Sequence, residues 1–572
     1  MTKSIWQYSF SRLFLSLLLA SILFGWLVIS AESATTSPSI EIANISGIAG
    51  QTIGVFGNDF GATQGSVTIL GVSSTIGFWS SDFISLTVPT VADGVGVLEV
   101  TTSDNLTATS PFTVYTVDGN FLVPATPKLI NLTHGKTAVT QNVESSYCFE
   151  QPGNASKTPE EFLTDFHCGF SGYTNSGNAT FLADSTLTQT AFIAIDIGQT
   201  LLGSYYFQFS GDNNWYPRLD TTSYRRSVPR DYTIEVSADS TTGFDGAWTP
   251  VFTMTNNNRS QRTHHFTVPS GGYEWVRLHV TDGVNDHTTT AGRDFSLREI
   301  SIYEAQTVGG VQPDSVAHYG DSLSADAFQL IGPQGFAELA RAFSTNGATT
   351  DLMFSNFGLS GQNSSGFIDQ PAIDYDIYDA LTLDGLDTHA LYWAITIGVN
   401  DACEGEANLT NPSSNLYQYP TRLNTLVQAL IAQGRTPILA RIPDTDESNG
   451  GFGDFASKKH VLEAIDTAAA TYHLIPGPDL YTAFRRNIEA DSASFFSGDG
   501  THHNISGQAK MVSMWAEAFA IGTEQTLVPT NTTLQSSAIR AESPHQPLQL
   551  FTLLAIISVL VLYRTRLMVD AP

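Results

Sequence analysis

Four short stretches of this 572-residue chain hold side chains that could act on one substrate together. They are Gly-Asp-Ser at Gly320 to Ser322, Asn-Phe-Gly-Leu-Ser-Gly at Asn356 to Gly361, Gly-Val-Asn-Asp at Gly398 to Asp401, and Asp-Gly-Thr-His-His-Asn at Asp499 to Asn504. A serine hydroxyl is a poor nucleophile until a neighbouring base accepts its proton. Histidine suits that task because imidazole titrates near working pH. His502 follows Asp499 by three residues, so the carboxylate can hold one ring nitrogen and stabilise the imidazolium as it forms. Attack on an ester carbonyl also builds negative charge on its oxygen. Backbone N–H groups and side-chain amides, such as that of Asn400, are donors of the kind that could meet it. Gly361 fits because glycine lets backbone and substrate approach closely.

Each stretch alone has a plain structural explanation. A serine after a strand usually caps the next helix, and Ser322 can do this as well as react. An asparagine after a strand is usually a turn residue, and Asp321 is read as one too. His503 places a second imidazole beside the first, so the choice of His502 as base rests on its spacing from Asp499. No metal and no organic cofactor is called for by this set.

The elements that must position these residues alternate in type. Strand-like runs "DSVAHYG", "LMFSNFG", "HALYWAITIG" and "TPILARI" are separated by "QGFAELARAF", "RLNTLVQALIAQG", "KKHVLEAIDTAAATY" and "QAKMVSMWAEAFA". The latter carry apolar residues at three- and four-residue spacing, the helical period. Strand and helix in alternation predict a parallel sheet covered on both faces, with ligands beyond the carboxyl ends of its strands. With its four motifs in this order, the region from 312 to 522 resembles the SGNH, or GDSL-type, hydrolase family. The resemblance implies a three-layer α/β domain of flavodoxin-like type. It also implies Ser322 as nucleophile, Asp499 and His502 as its partners, and Ser322, Gly361 and Asn400 as the oxyanion hole. His503 stands where many members carry proline, a difference that bears on loop stiffness more than on chemistry.

Two β-rich regions precede it. From 39 to 116, runs such as "TIGVFGNDFG", "SVTILGV", "ISLTVP" and "GVLEVTT" alternate between Gly and Asp turns, the pattern of a small β-sandwich. In "ISGIAGQTIGVFGNDFG", "GSVTILGV", "WSSDFISLTVP" and "GVGVLEVTT" it resembles the IPT/TIG immunoglobulin-like domain, which implies a spacer or interaction module. From 127 to 305, "IAIDIG", "YTIEVSAD", "WVRLHVTD" and "LREISIYE" resemble a galactose-binding-like jelly roll of the discoidin type. That implies a second β-sandwich, with glycan as a possible ligand. Trp215 could stack on a sugar face or simply fill the core. Asp282, Asn285, Asp286 and Asp294 are hard oxygen ligands of the kind calcium uses, but no loop template fits, and a solvated loop is the simpler reading. His264 and His265 are adjacent in a strand, point to opposite faces, and are poor co-ligands for one metal. The fold class expected is therefore multidomain, two β-sandwiches followed by the α/β domain.

Composition sets the compartment. Charged residues make up 14% of the chain, against roughly 25% in an ordinary globular protein. The formal net charge of −29 opposes binding to nucleic acid phosphates, so nucleic acid is set aside as a partner. Lys3 and Arg12 precede the apolar run Leu13 to Ser30, and "AESA" follows, so residues 1–34 read as a signal peptide or an uncleaved signal anchor. Residues 523–547 form a Ser/Thr/Pro-containing linker. Leu548 to Tyr563 are sixteen residues without a charge, followed by Arg564 and Arg566. They read as a C-terminal transmembrane or sorting helix with its basic flank on the cytoplasmic side, or as a buried core helix. Cys148 and Cys168 are placed to bridge a modest loop, worth roughly 3 kcal/mol, and Cys403 is read as a small packing residue.

The expectation is an exported serine esterase at the cell surface or membrane-anchored, its enzyme domain extracellular. Its most concrete substrate is an O-acetyl group on carbohydrate. The alternatives are a lipase, arylesterase or thioesterase of the same fold, or a non-catalytic surface adhesion and glycan-binding protein.

Overall fold

The computed structural model describes residues 36–122, 130–141, 144–146, 180–182, 190–210, 227–257, 261–285, 297, 299–304, 312–327, 352–358, 361–368, 390–491 and 495–522. The chain divides into two compact units, Met1–Gln525 and Thr526–Pro572, and every described residue belongs to the first. The two terminal apolar runs, Cys148, Cys168, Trp215, Asp286, Asp294 and the helical stretch at 334–343 lie outside the described residues. Among the described residues no helix is long and apolar enough to cross a membrane.

The first region is two packed sheets. Ser39–Ala43, Thr52–Asn58, Phe83–Thr87 and Thr75–Trp79 form a four-stranded antiparallel sheet. Ser46–Gly47, Thr107–Val114, Gly94–Thr101, Ser66–Ile69 and Val72–Ser73 form a second of five strands. Alternate residues point inward, so Ile53, Val55, Ile84 and Leu86 meet Val67, Ile69, Leu98, Val100 and Phe112 in one core. The strand Thr52–Asn58 is buried from Ile53 through Gly57, on both faces. Its outer face carries Phe56, which joins Ile42 and Phe83 in the core of the α/β region and meets the ring of Tyr481 at 5.9 Å. A spacer on a free linker would leave that face wet. This one shares a core with its neighbour.

The second region is built on a long antiparallel ladder between Ala191–Ser210 and Gln261–Asn285. Irregularities between Asp196 and Gly203 divide the ladder into two halves, and Gly198, Gly203 and Gly272 take positive φ there. One half extends through Ser227–Ser237 to Thr249–Met254, the other through Glu299–Glu304 to Ile130–Asn131. Side chains from both halves, including Ile193, Phe207, Tyr232 and Phe266, enter one core. His264 and Tyr232 link the halves through a 2.6 Å hydrogen bond.

In the third region the described strands are β1 (Gln312–Gly320), β2 (Met353–Gly358), β3 (Ala390–Thr396), β4 (Thr436–Arg441) and β5 (Pro476–Asp479). All pair in parallel, in the order β2-β1-β3-β4-β5. The winding reverses at β1, which places a crevice at its carboxyl end. Register sets Gly320 beside both Gly358 and Thr396, so the loops after β1, β2 and β3 leave the sheet together. The helices are α1 (Ser322–Ala327), α2 (Ser364–Ile368), α3 (Val399–Ala402), α4 (Asn415–Ala432), α5 (Phe455–Thr471), α6 (Leu480–Asp491) and α7 (Ile505–Gly522). Ser414 caps α4 by accepting from the Tyr417 N–H, and Asp454 caps α5 by accepting from Ser457.

β5 is Pro-Gly-Pro-Asp, a segment with no strand propensity, and the sequence does not announce it. It is tolerated because it is an edge strand, where a missing N–H costs little. Gly477 is required there, since a Cβ would lie 2.0 Å from the Leu439 carbonyl oxygen. Both edges of the sheet meet the upstream regions. Met353 on β2 packs with Tyr206 and Tyr303, and Gln208 donates to Ser355. Beyond β5, Tyr481 meets Phe56, as described above.

A buried ionic group locks the first region to the third. Arg441, 4% exposed, contacts the carboxylate of Asp466 and donates to Asp479 at 3.1 Å. Asp466 also accepts from the backbone N–H of Ile45 at 2.9 Å, and its carbonyl accepts from Ser46 Oγ at 2.7 Å. Asp466→Ala would leave the buried Arg441 with Asp479 as its one acid and orphan the Ile45 N–H, and is expected to cost about 3–5 kcal/mol. A drop in the thermal unfolding midpoint measures this, and an unchanged midpoint counts against the lock.

Candidate active site

Ser322 stands where β1 ends and α1 begins. Its Oγ does not cap that helix: Asp321 Oδ1 accepts the Leu323 N–H at 3.0 Å, leaving the serine hydroxyl to face His502 Nε2 at 3.0 Å. His502 Nδ1 meets Asp499 Oδ2 at 2.6 Å. The other carboxylate oxygen is equally occupied, accepting the N–H groups of Thr501 at 3.0 Å and His502 at 2.9 Å and the hydroxyl of Ser497 at 2.8 Å. One oxygen of Asp499 therefore shapes the loop and the other orients the imidazole.

Burial alone would raise the Asp499 carboxyl, but the hydrogen bonds from His502, Ser497 and Thr501 outweigh it and hold its pKa down, at about 2. An ionised carboxylate only accepts, so Nδ1 carries the proton and Nε2 is left to accept from the Ser322 hydroxyl. Among the described residues this is a connected Ser–His–Asp relay, and it can take up and return one proton at Ser322.

The histidine loop is held from several directions. Phe496 and His503 form an isolated bridge, Ser497 N–H donates to the His502 carbonyl at 2.7 Å, and Asn504 N–H donates to Phe495 at 2.9 Å. Asn504 Oδ1 then caps α7 by accepting from Ser506 and Gly507. From the other side, Asp446 N–H donates to the Gly500 carbonyl at 2.7 Å and Phe452 N–H to Thr501 Oγ1 at 3.2 Å. Lys458, 3% exposed, braces that second loop through Asp444 at 2.8 Å and Glu447 at 2.9 Å. Sequence reasoning missed this brace; a lysine inside a helical apolar pattern was its only signal.

The second imidazole is removed from contention by its surroundings. His503 is 4% exposed and stacks on Phe484 at 4.1 Å between ring centroids. Burial, with His502 close by, pushes its pKa down to about 3, so it stays neutral and faces the core.

The other two residues singled out in the sequence, Gly361 and Asn400, lie on neighbouring segments. Gly361 is exposed after β2, with φ of +75° and open space where a Cβ would stand. Asn400 on α3 donates from Nδ2 to the carbonyl of Gln362, the next residue along, at 2.8 Å. Its amide keeps a second N–H. Two acids lie beneath, Asp321 and Asp401, 1% and 0% exposed. Burial raises Asp321 to about 7, against the Leu323 N–H and with Asp401 adding to the rise. Burial likewise raises Asp401 to about 6, against the bonds from Ser364.

The other residues singled out in the sequence fall elsewhere. Asp282 pairs with Arg230 at 3.7 Å. His264 stacks on Phe252 inside the second region, while His265 meets Tyr206. Cys403 is exposed, not packed, because it ends the short helix α3 and its side chain leaves the core. Among the described residues no group of three or more His, Cys, Asp or Glu could hold a metal ion.

Comparison with known proteins gives partial likenesses. No family model matches the chain. The cyclomaltodextrin glucanotransferase of Bacillus sp. (strain 1-1) is 42% identical over 76 residues, 13% of this chain and 11% of that enzyme. A lipase/acylhydrolase from Enterococcus faecalis aligns with 36% of this chain and 95% of its own, at 17% identity and a TM-score of 0.28. An acetyl xylan esterase from Geobacillus stearothermophilus aligns with 37% and 96%, at 15% identity and 0.28. A chitosan-binding module of a Paenibacillus sp. IK-5 chitosanase/glucanase aligns with 31% and 99%, at 19% identity and 0.19. All three scores are low, and the chemistry of this chain rests on its own side chains.

Two outcomes are expected. His502→Ala is expected to lower turnover of an ester substrate by at least about 10³-fold, whereas His503→Leu, closer to histidine in volume and suited to its apolar surroundings, stays within about threefold; steady-state kinetics on both separates the two imidazoles. Because the folded-state pKa of Asp499 is depressed, its contribution to stability is full above its ordinary value of 3.8 and is lost as pH falls toward about 2. The stability difference between the native chain and Asp499→Asn should therefore shrink over that window in pH-dependent unfolding.

Proposed function

We propose that this chain is a serine ester hydrolase working through an acyl-enzyme. The observation that carries the reading is the continuous relay Asp499–His502–Ser322, with contacts of 2.6 and 3.0 Å between residues from opposite ends of one domain. Ser322 Oγ attacks the ester carbonyl carbon while His502 Nε2 takes its proton. The carbonyl oxygen becomes an oxyanion, met by the N–H groups of Ser322 and Gly361 and the free amide hydrogen of Asn400. His502 then gives its proton to the departing alcohol, leaving the acyl group on Ser322. Water, deprotonated by His502, attacks that acyl group. Collapse returns the proton to Ser322 and releases the carboxylic acid.

The substrate class proposed is O-acyl, in particular O-acetyl, carbohydrate. Support comes from the seat of the second region, whose residues Tyr206, Gln208 and Tyr303 meet Met353 and Ser355 on β2, the strand that leads to Gly361. A glycan held by that region would sit on the same body as the nucleophile. The basic and apolar N-terminus and the uncharged run at Leu548 to Tyr563 support an exported, surface-held enzyme.

The test is hydrolysis of p-nitrophenyl acetate by the full chain beside Ser322→Ala, then of acetylated oligosaccharides. Activity lost in the variant is expected, along with a fall in rate as the acyl chain lengthens. Activity that survives Ser322→Ala overturns the esterase reading, and a preference for long acyl chains overturns the acetyl one.

A further inference from the structure

The reading above needs two backbone segments, one after β2 and one after β3, to present donors to a single oxygen atom. Nothing in either motif says what holds those segments together. Two adjacent residues of α3 supply the link. Asn400 donates to the Gln362 carbonyl at 2.8 Å. Asp401 accepts from Ser364 three times: from its N–H at 3.1 Å to Oδ1 and 3.0 Å to Oδ2, and from its hydroxyl at 2.5 Å to Oδ1. Consecutive residues of one segment thus grip alternate residues of the other, immediately after Gly361.

The surroundings make this grip stiff. Asp401 is fully buried and Ser364 is 4% exposed, so water does not replace either partner. Arg422 on α4 reaches Ser364 Oγ at 3.4 Å and Asn415 at 2.8 Å, placing a positive charge behind the carboxylate. Gln362 is 7% exposed, and its side chain fills the space where Gly366 would carry a Cβ. A Cβ at Gly361 would meet nothing within 4 Å among the described residues, so the bonds of the residues that follow it bear on its placement.

We propose that Asp401, acting through Ser364, is a positioning residue that sets the Gly361 N–H and the Asn400 amide at their spacing in the oxyanion hole. It touches no reacting atom. Its removal leaves substrate access and the Ser322–His502 relay in place but lets the loop after β2 drift from α3. Donors of this kind act on charge that develops in the transition state, so the loss falls on kcat and not on KM.

This rests on the esterase reading, and the experiment separates the two. Full-length chain, Ser322→Ala, Asp401→Asn and Ser364→Ala are compared on p-nitrophenyl acetate, with thermal unfolding as the folding control. Hydrolysis lost in Ser322→Ala establishes the enzyme independently of Asp401. Asp401→Asn is then expected to lower kcat by about 10- to 100-fold, less than the loss of a hole donor itself, with KM within about twofold. Ser364→Ala removes only the hydroxyl link and is expected to lower kcat by a smaller factor, again at constant KM. In a further variant carrying both Asp401→Asn and Ser364→Ala the losses should not add, because both residues serve one link; full additivity overturns the link. A kcat within about twofold of wild type in a folded Asp401→Asn, or a change carried by KM, overturns the proposal. If Asp401→Asn does not fold, Ser364→Ala decides: kcat reduced at constant KM supports the link, and unchanged kcat overturns it.

Discussion

The hydrogen bond between His502 Nε2 and Ser322 Oγ joins residues 180 positions apart, and the architecture of the third region exists to hold it. A proton passes between them only if both stay within hydrogen-bond reach, so neither can sit on a loop free to wander. Ser322 is fixed by leaving an interior strand of a parallel sheet. His502 has no strand beneath it. Its place comes from Asp499, which spends one oxygen on the loop's own backbone, and from the start of α7, capped by Asn504. The buried Lys458 and its acidic partners steady the facing loop.

The same demand reaches the upstream regions. A five-stranded parallel sheet has two open edges, and unpaired strand edges invite association. Here Met353 and Ser355 on one edge strand meet the second region, and the residues following the other edge strand meet the first. Phe56, Ile42 and Phe83 turn one face of the first sandwich into a wall of the α/β core. Arg441, Asp466 and Asp479 place charge at that seam, where it is stabilising only while every partner is present. The two β-regions are thus structural parts of one body with the α/β region.

Buried acids gather under the nucleophile and the oxyanion donors. Asp321 caps α1 and Asp401 binds Ser364, each next in sequence to a residue of the site. Burial favours their neutral forms while their N–H donors favour the charged ones, and Asp321 and Asp401 oppose each other's ionisation. Carboxylates in such a place are costly. Their use here is geometric, because a short acid gripping backbone N–H groups fixes a turn more tightly than packing alone.

The sequence by itself determined the chemistry that was possible. Ser322, Gly361 and Asn400 stand out because each follows a strand whose apolar run declares it, and Asp499 and His502 because of their three-residue spacing; the structure joins Ser322, His502 and Asp499 in one chain of contacts. The sequence also declared β1 to β4, the three long helices and the alternating strands of the first sandwich, where local pattern and burial agree. Tertiary structure decided the rest. The spacing from Asp499 favours His502, and the tertiary structure completes the separation by bonding His502 to Asp499 and Ser322 while His503 stacks on Phe484. Asp321 takes the cap position before α1, and Ser322 Oγ meets His502 instead. β5 is a strand because Leu439 and Arg441 pair with it, not because Pro-Gly-Pro-Asp prefers to be one. The sharing of cores between regions, and the grip of Asp401 on Ser364, depend on contacts between residues far apart in the chain. No local periodicity encodes those contacts.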